Sequence, residues 1–164
     1  MLLWVVVIGS VSGFLFGYDE GIIAGSLDLV QDSFGLGHKD IGVMASALPF
    51  GALIGSMLIG ALLASRWVKH WGRRSLLSLA GLLFFLGAMG AAASYNINGL
   101  IISRFILGLA IGAASVTTPL YLAETAPEKI RGAMVAMYQL AITVGIVCAY
   151  LVNYALIEQK AWRL

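Results

Sequence analysis

Five stretches of this chain run for about the length of a membrane-crossing helix without a charged residue: Leu2 to Tyr18, Ile41 to Ser65, Ser75 to Ser103, Phe105 to Ala123 and Gly132 to Ile157. A hydrocarbon core about 30 Å thick takes about 20 helical residues to cross. With 164 residues, 60% of them hydrophobic and 11% charged, the chain carries more apolar surface than one water-soluble domain of this size can hide. Lipid is the solvent it fits.

The first run continues as helix past Asp19, and the third is too long for a single span. Tyr95-Asn96-Ile97-Asn98-Gly99 supplies the turn residues that divide it. The expected fold is all-α and membrane-integral, with spans near 2–24, 41–65, 75–95, 98–122 and 133–156. The first span lacks a basic flank and a small-residue cleavage site, so it reads as a retained helix rather than a signal peptide.

Charge position is more informative than charge sum. A net charge of +2, with no basic stretch interleaved with aromatics, points away from nucleic acid. The turn between the second and third spans carries Arg66, Lys69, Arg73 and Arg74, whereas the turn between the third and fourth carries no Lys or Arg. The positive-inside rule makes the first of these turns cytoplasmic. Alternation then places the N-terminus inside, the 25–40 loop outside and the 124–131 loop, with Lys129 and Arg131, inside. The cell membrane, crossed several times, is the expected location.

Asp19 and Arg104 fall inside spans, where a lone charge costs about 2.5 to 3.5 kcal/mol even on insertion scales. At about 1.5 Å per residue, Asp19 lies roughly 25 Å above the cytoplasmic start of its helix and Arg104 roughly 10 Å below the outer start of its own. The two depths agree to about one turn. Pairing favours the carboxylate and dry separation favours the acid, so a motion that parts them would load and unload a proton. The same residues also fit a structural ion pair, or an aspartate marking a helix end. Glu20 points about 100° away, towards a cavity mouth or the interface. Gln139 needs hydrogen-bond partners in hydrocarbon, which either sugar hydroxyls or a neighbouring helix would supply.

Gly51 and Gly55, with Gly60 beyond them, and Gly108 with Gly112 are spaced for close helix approach, and Pro49 and Pro119 can kink their spans. Cys148 stands alone in the fifth span, and His38 and His70 lie in hydrophilic loops. There is no nucleophile–base set, metal-ligand spacing or phosphate-cradling loop, so the chain is not expected to be an enzyme and needs no metal or organic cofactor.

Four separated stretches resemble the sugar porters of the major facilitator superfamily and together cover nearly all of the chain. Gly13-Phe-Leu-Phe-Gly-Tyr-Asp19 is similar to the helix-one G-x-L-F-G-Y-D pattern. Trp71-Gly72-Arg73-Arg74 is similar to the end of the signature between helices two and three, although Ser65 replaces its first glycine and Lys69 and His70 stand where Asp and Arg are usual. Arg104-x-x-x-Gly108, then Pro119-x-Tyr121-x-x-Glu124-x-x-Pro127 and Arg131-Gly132, resembles the most specific of the family's patterns. Tyr138-Gln-Leu-Ala-Ile142 resembles its helix-five sugar segment.

The resemblance implies a transmembrane carbohydrate transporter working by alternating access as a sugar:proton symporter. Asp19 and Arg104 would be the proton-coupling pair, and Phe16, Gln139 and Ile142 the substrate contacts. Arg73, Arg74, Glu124 and Arg131 would form a cytoplasmic gate, with Lys69 setting a like charge beside Arg73. Ile146 stands where some members have a second glutamine. The implied partners are a monosaccharide, the lipid bilayer, the proton as coupling ion and the remainder of the transporter. Complete porters have two six-helix halves, so residues 1–164 read as an incomplete N-terminal transporter half, expected to be inactive alone. A facilitative uniporter, a nontransporting fragment and a membrane subunit that needs a partner are the alternatives.

Overall fold

A computed structural model describes residues 2–34, 37–64 and 72–156, with side chains for 6–25, 37, 39–61 and 74–155. Among the described residues the regular elements are five α-helices: α1 (Leu2–Phe34), α2 (His38–Ala64), α3 (Gly72–Ala92), α4 (Ile97–Thr125) and α5 (Arg131–Leu156). Each contains a segment long and apolar enough to cross a membrane, at Val6–Gly25, Lys39–Ala61, Arg74–Ala92, Ile97–Thr125 and Arg131–Ala155.

The expected spans differ from the helices chiefly in α1, which runs to Phe34 where the loop 25–40 was expected. Apolarity marked the membrane segment, but a helix need not stop where its hydrocarbon run does. No Gly or Pro stands between Ser26 and Phe34, and Leu27, Val30 and Phe34 keep helical spacing. α2 starts within the same expected loop. The Gly37 carbonyl accepts from the Asp40 and Ile41 amides at 3.1 and 3.2 Å, and the Gly37 amide donates to Asp40 Oδ2 at 3.3 Å. That carboxylate satisfies an amide the helix leaves over, as in one half of a capping box. Pro49 and Pro119 are accommodated inside α2 and α4.

The chain divides into two compact units, Met1–Gly35 with Pro119–Leu164, and Leu36–Thr118. The first is built on α1 against α5. A methyl group added to Gly13 would come within 2.7 Å of the Tyr138 carbonyl, and one added to Gly17 would overlap the Ile142 carbonyl. At Gly21 it would meet the Ala149 Cβ at 2.7 Å, and at Gly25 the Asn153 side chain. In return, Gly145 lies against the backbone of Phe14 and Tyr18, whose rings stack at 5.9 Å. Glycines four apart form one ridge of α1, and the missing side chains let backbones touch, which is how helices gain contact where lipid removes the hydrophobic drive. Leu122, Ala126, Met134 and Tyr138 form the buried cluster beside this seam.

In the second unit α4 packs on α2 and α3. Gly51 and Gly55 meet the carbonyls of Phe105 and Leu109, while Gly108 and Gly112 meet those of Leu48 and Ala52. Both small-residue pairs noted in the sequence therefore serve one seam. Ile59, Leu76, Ala80 and Ala113 close this unit's core. The buried hydroxyl of Thr117 donates to the Ala113 carbonyl at 2.8 Å, and that of Ser103 to Gly99 at 2.8 Å. Donation within the helix spares each hydroxyl an unmet bond in hydrocarbon.

Candidate functional site

Two residues before Asp19, Gly17 touches the carbonyl of Ile142, itself three residues beyond Gln139. One turn of the α1–α5 seam thus brings together the helix segments that carry the expected proton site and the expected sugar ligands. At about 100° per residue, Asp19 projects from the side of α1 opposite the glycine ridge, with Phe16 about 60° from it. Both side chains are half-buried, and Oδ2 of Asp19 is fully buried. Glu20 is exposed.

On α5, Gln139 is exposed and Ile142 half-buried. Tyr138 fixes their register: it is 5% exposed, and its carbonyl and ring lie against Gly13. The Thr143 hydroxyl donates to the Gln139 backbone carbonyl at 3.2 Å.

Arg104 belongs to the second unit and is 5% exposed, with its Nε atom fully buried. Its turn of α4 is held from two sides. The carbonyl of Phe105 meets Gly51, and the Phe105 ring lies 6.4 Å from that of Phe50. Ser103 lies against Gly90 of α3, and Leu107 against Gly87. Such packing fixes the turn of α4 that carries Arg104.

Of the expected gate residues, Arg74 is exposed at the start of α3, Glu124 at the end of α4 and Arg131 at the start of α5. The side chain of Arg73 lies outside the described residues, as do Lys69 and His70.

Sequence reasoning passed over Asn153. Its Nδ2 donates to the carbonyls of Gly21 and Ile22, both at 3.1 Å, tying the C-terminal part of α5 to the turn that follows Asp19. The signal was present in the four-residue recurrence of glycine from Gly9 to Gly25, which marks a helix face prepared for close contact. Asn153→Ala is expected to cost about 1 kcal/mol, between the average and the upper range for bonds between membrane helices. Unfolding in mild detergent would measure it; an unchanged midpoint would show that the bonds contribute nothing to stability.

The family model described as "Sugar (and other) transporter" matches residues 5–164. The galactose-proton symporter of Escherichia coli strain K12 is 43% identical over 164 residues, covering 99% of this chain and 34% of that protein. The D-xylose transporter of Levilactobacillus brevis is 44% identical over 147 residues, covering 90% of this chain and 31% of that protein. Among solved structures, a proton:xylose symporter of the major facilitator superfamily bound to 6-bromo-6-deoxy-D-glucose superposes with a TM-score of 0.85 at 27% identity, covering 99% of this chain and 40% of the other. The chain therefore spans about a third of the length of the curated relatives it matches.

Proposed function

This chain belongs to the Sugar (and other) transporter family, and we propose that it supplies the first five helices of a monosaccharide:proton symporter. Its fold is that of an incomplete major-facilitator half, all-α and multi-pass in the membrane. The contact of Gly17 with Ile142 carries the reading, because it joins the turn bearing Asp19 to the segment bearing Gln139. Asp19 takes the proton, with Arg104 as its electrostatic counterpart in the cycle. Gln139 hydrogen-bonds sugar hydroxyls through both ends of its amide, and Phe16 and Ile142 offer apolar contact to the ring's C–H faces.

Residues 1–164 act as part of an N-terminal transporter half. Alternating access needs two halves that rock about a midplane site, so transport requires the helices that the relatives carry beyond the matched third, on this polypeptide or another. Arg74, Glu124 and Arg131 form part of the cytoplasmic gate, where opposite charges hold helix ends together while the outer side is open. Lys129 accompanies them on the side the positive-inside rule makes cytoplasmic, which puts the N-terminus on the cytoplasmic side of the cell membrane. A facilitative uniporter is the second reading, and the acid at position 19 within a membrane segment disfavours it.

The test is equilibrium binding of radiolabelled galactose, xylose, arabinose and glucose to the purified chain, followed by uptake into proteoliposomes with and without an inward proton gradient. At least one sugar is expected to bind, and Gln139→Ala is expected to weaken it by about tenfold, the value of a hydrogen bond at the upper end of the usual range. Binding of none of them by the chain assembled with those further helices would reject the assignment. Gradient-driven uptake by the chain alone would reject the need for further helices.

A further inference from the structure

The chain has three asparagines, Asn96, Asn98 and Asn153, and Asn98 alone is followed by glycine. The structure places that pair inside α4 rather than in the turn before it, since the helix begins at Ile97. Its first bond runs from the Leu100 amide to the Asn96 carbonyl at 3.1 Å. The Gly99 amide therefore belongs to the group that the start of a helix leaves without a carbonyl partner. The Asn98 side chain beside it is exposed. Tyr95, 81% exposed in the adjoining turn, marks this end as the edge of the apolar segment, where water reaches.

Gly99 has no packing reason to be glycine. The later glycines of α4, Gly108 and Gly112, press on the backbone of α2, whereas a carbon added to Gly99 would meet only the Ser94 Cβ, at 3.4 Å, an ordinary contact. What the missing side chain does is leave the Gly99 nitrogen open to approach from the residue before it. The other two asparagines lack that opening. Asn96 precedes Ile97, whose branched Cβ crowds its own amide. Asn153 is half-buried, and its Nδ2 is held by the carbonyls of Gly21 and Ile22.

We propose that Asn98 and Gly99 form a self-modifying site, at which Asn98 is converted over time to aspartate or isoaspartate. The Gly99 nitrogen bonds to Cγ of Asn98 and gives up its proton; the Cγ–Nδ2 bond breaks, and Nδ2 leaves with that proton as ammonia. Water then opens the resulting succinimide ring. Addition at Cγ restores the main chain and yields aspartate; addition at the main-chain carbonyl carbon routes the chain through Cγ and yields isoaspartate. No oxidant or reductant takes part. The attack needs Asn98 to leave its helical dihedral angles, which costs least in a first turn whose amides hold no carbonyl. The products act oppositely on α4. Aspartate adds a charge that favours the helix start, where the first turn now has no acid. Isoaspartate lengthens the main chain within that turn and loosens it.

The test is incubation of the purified full chain in detergent in warm, mildly alkaline buffer, followed by peptide mass spectrometry and by methylation with an isoaspartyl methyltransferase and a labelled methyl donor. Asn98 is expected to take on the mass gain of NH2 exchanged for OH at least about tenfold faster than Asn96, because branched Ile97 crowds the competing attack. Methyl label is expected at position 98. Gly99→Ala is expected to slow the conversion by at least about tenfold and to hold or raise the unfolding midpoint, since alanine suits a helix better than glycine. Asn98→Asp, the aspartate product made directly, is expected to raise the midpoint by about 1–4 °C. Equal rates at Asn96 and Asn98, an unmodified Asn98, or conversion that Gly99→Ala leaves as fast would overturn the site. A lowered midpoint for Asn98→Asp would overturn the opposing effects assigned to the two products.

Discussion

Gly17→Leu is expected to lower the unfolding midpoint of the purified chain by roughly 10 °C, the largest stability effect of any single substitution on α1. Overpacking a tight contact costs about 1–3 kcal/mol and sometimes more, and each kcal/mol moves the midpoint about 2–4 °C in a chain of this size. Gly17 belongs at the severe end because its added carbon would overlap the backbone carbonyl of Ile142, which cannot swing aside as a side chain can. Gly81→Leu is the control: no atom lies within 4 Å of the added carbon, so its midpoint should hold or rise slightly. Thermal unfolding followed by circular dichroism in one detergent would compare the two. Equal midpoints would mean that the α1–α5 seam is not a close-packed contact in the membrane protein.

Asp19→Asn is expected to remove gradient-driven sugar accumulation, by at least about a hundredfold, while sparing sugar exchange down its own gradient. Asparagine keeps the size and hydrogen-bonding reach of the neutral acid but cannot release a proton, so the step that ties sugar to proton movement is lost and the step that moves sugar alone is not. The measurement is uptake into vesicles holding the assembled transporter, against counterflow in the same vesicles. Loss of both would make Asp19 a structural residue; retention of accumulation would place proton coupling elsewhere.

The helix count and the membrane environment were legible because lipid imposes one rule, uninterrupted apolar length, and the chain follows it five times. The end of α1 was not legible by that rule. Residues 26–34 are polar enough to leave the hydrocarbon yet contain nothing that breaks a helix, so the boundary of the bilayer segment and that of the helix separate. The Gly51/Gly55 and Gly108/Gly112 pairs announced close packing but not that they would meet each other, since spacing within one helix carries no information about its partner. Asn153 was hidden for the same reason: its two acceptors lie more than a hundred residues away in sequence. Asp19, Arg104 and Gln139 stood out because a polar group in a lipid-bound segment is conspicuous.

The glycine ridge of α1 also bears on how the protein is made. α1 leaves the ribosome before the other four described helices, and its membrane segment carries Asp19 and five ridge glycines from Gly9 to Gly25, making it the least apolar of the five. The helix that covers that ridge, α5, emerges last among the described elements. Through the synthesis of α2, α3 and α4, the first helix must be held at the insertion machinery or in lipid with its bare backbone face uncovered. Insertion of α1 is therefore expected to stay reversible until α5 docks, and a ribosome stalled before α5 is expected to leave α1 the segment most easily extracted from the bilayer.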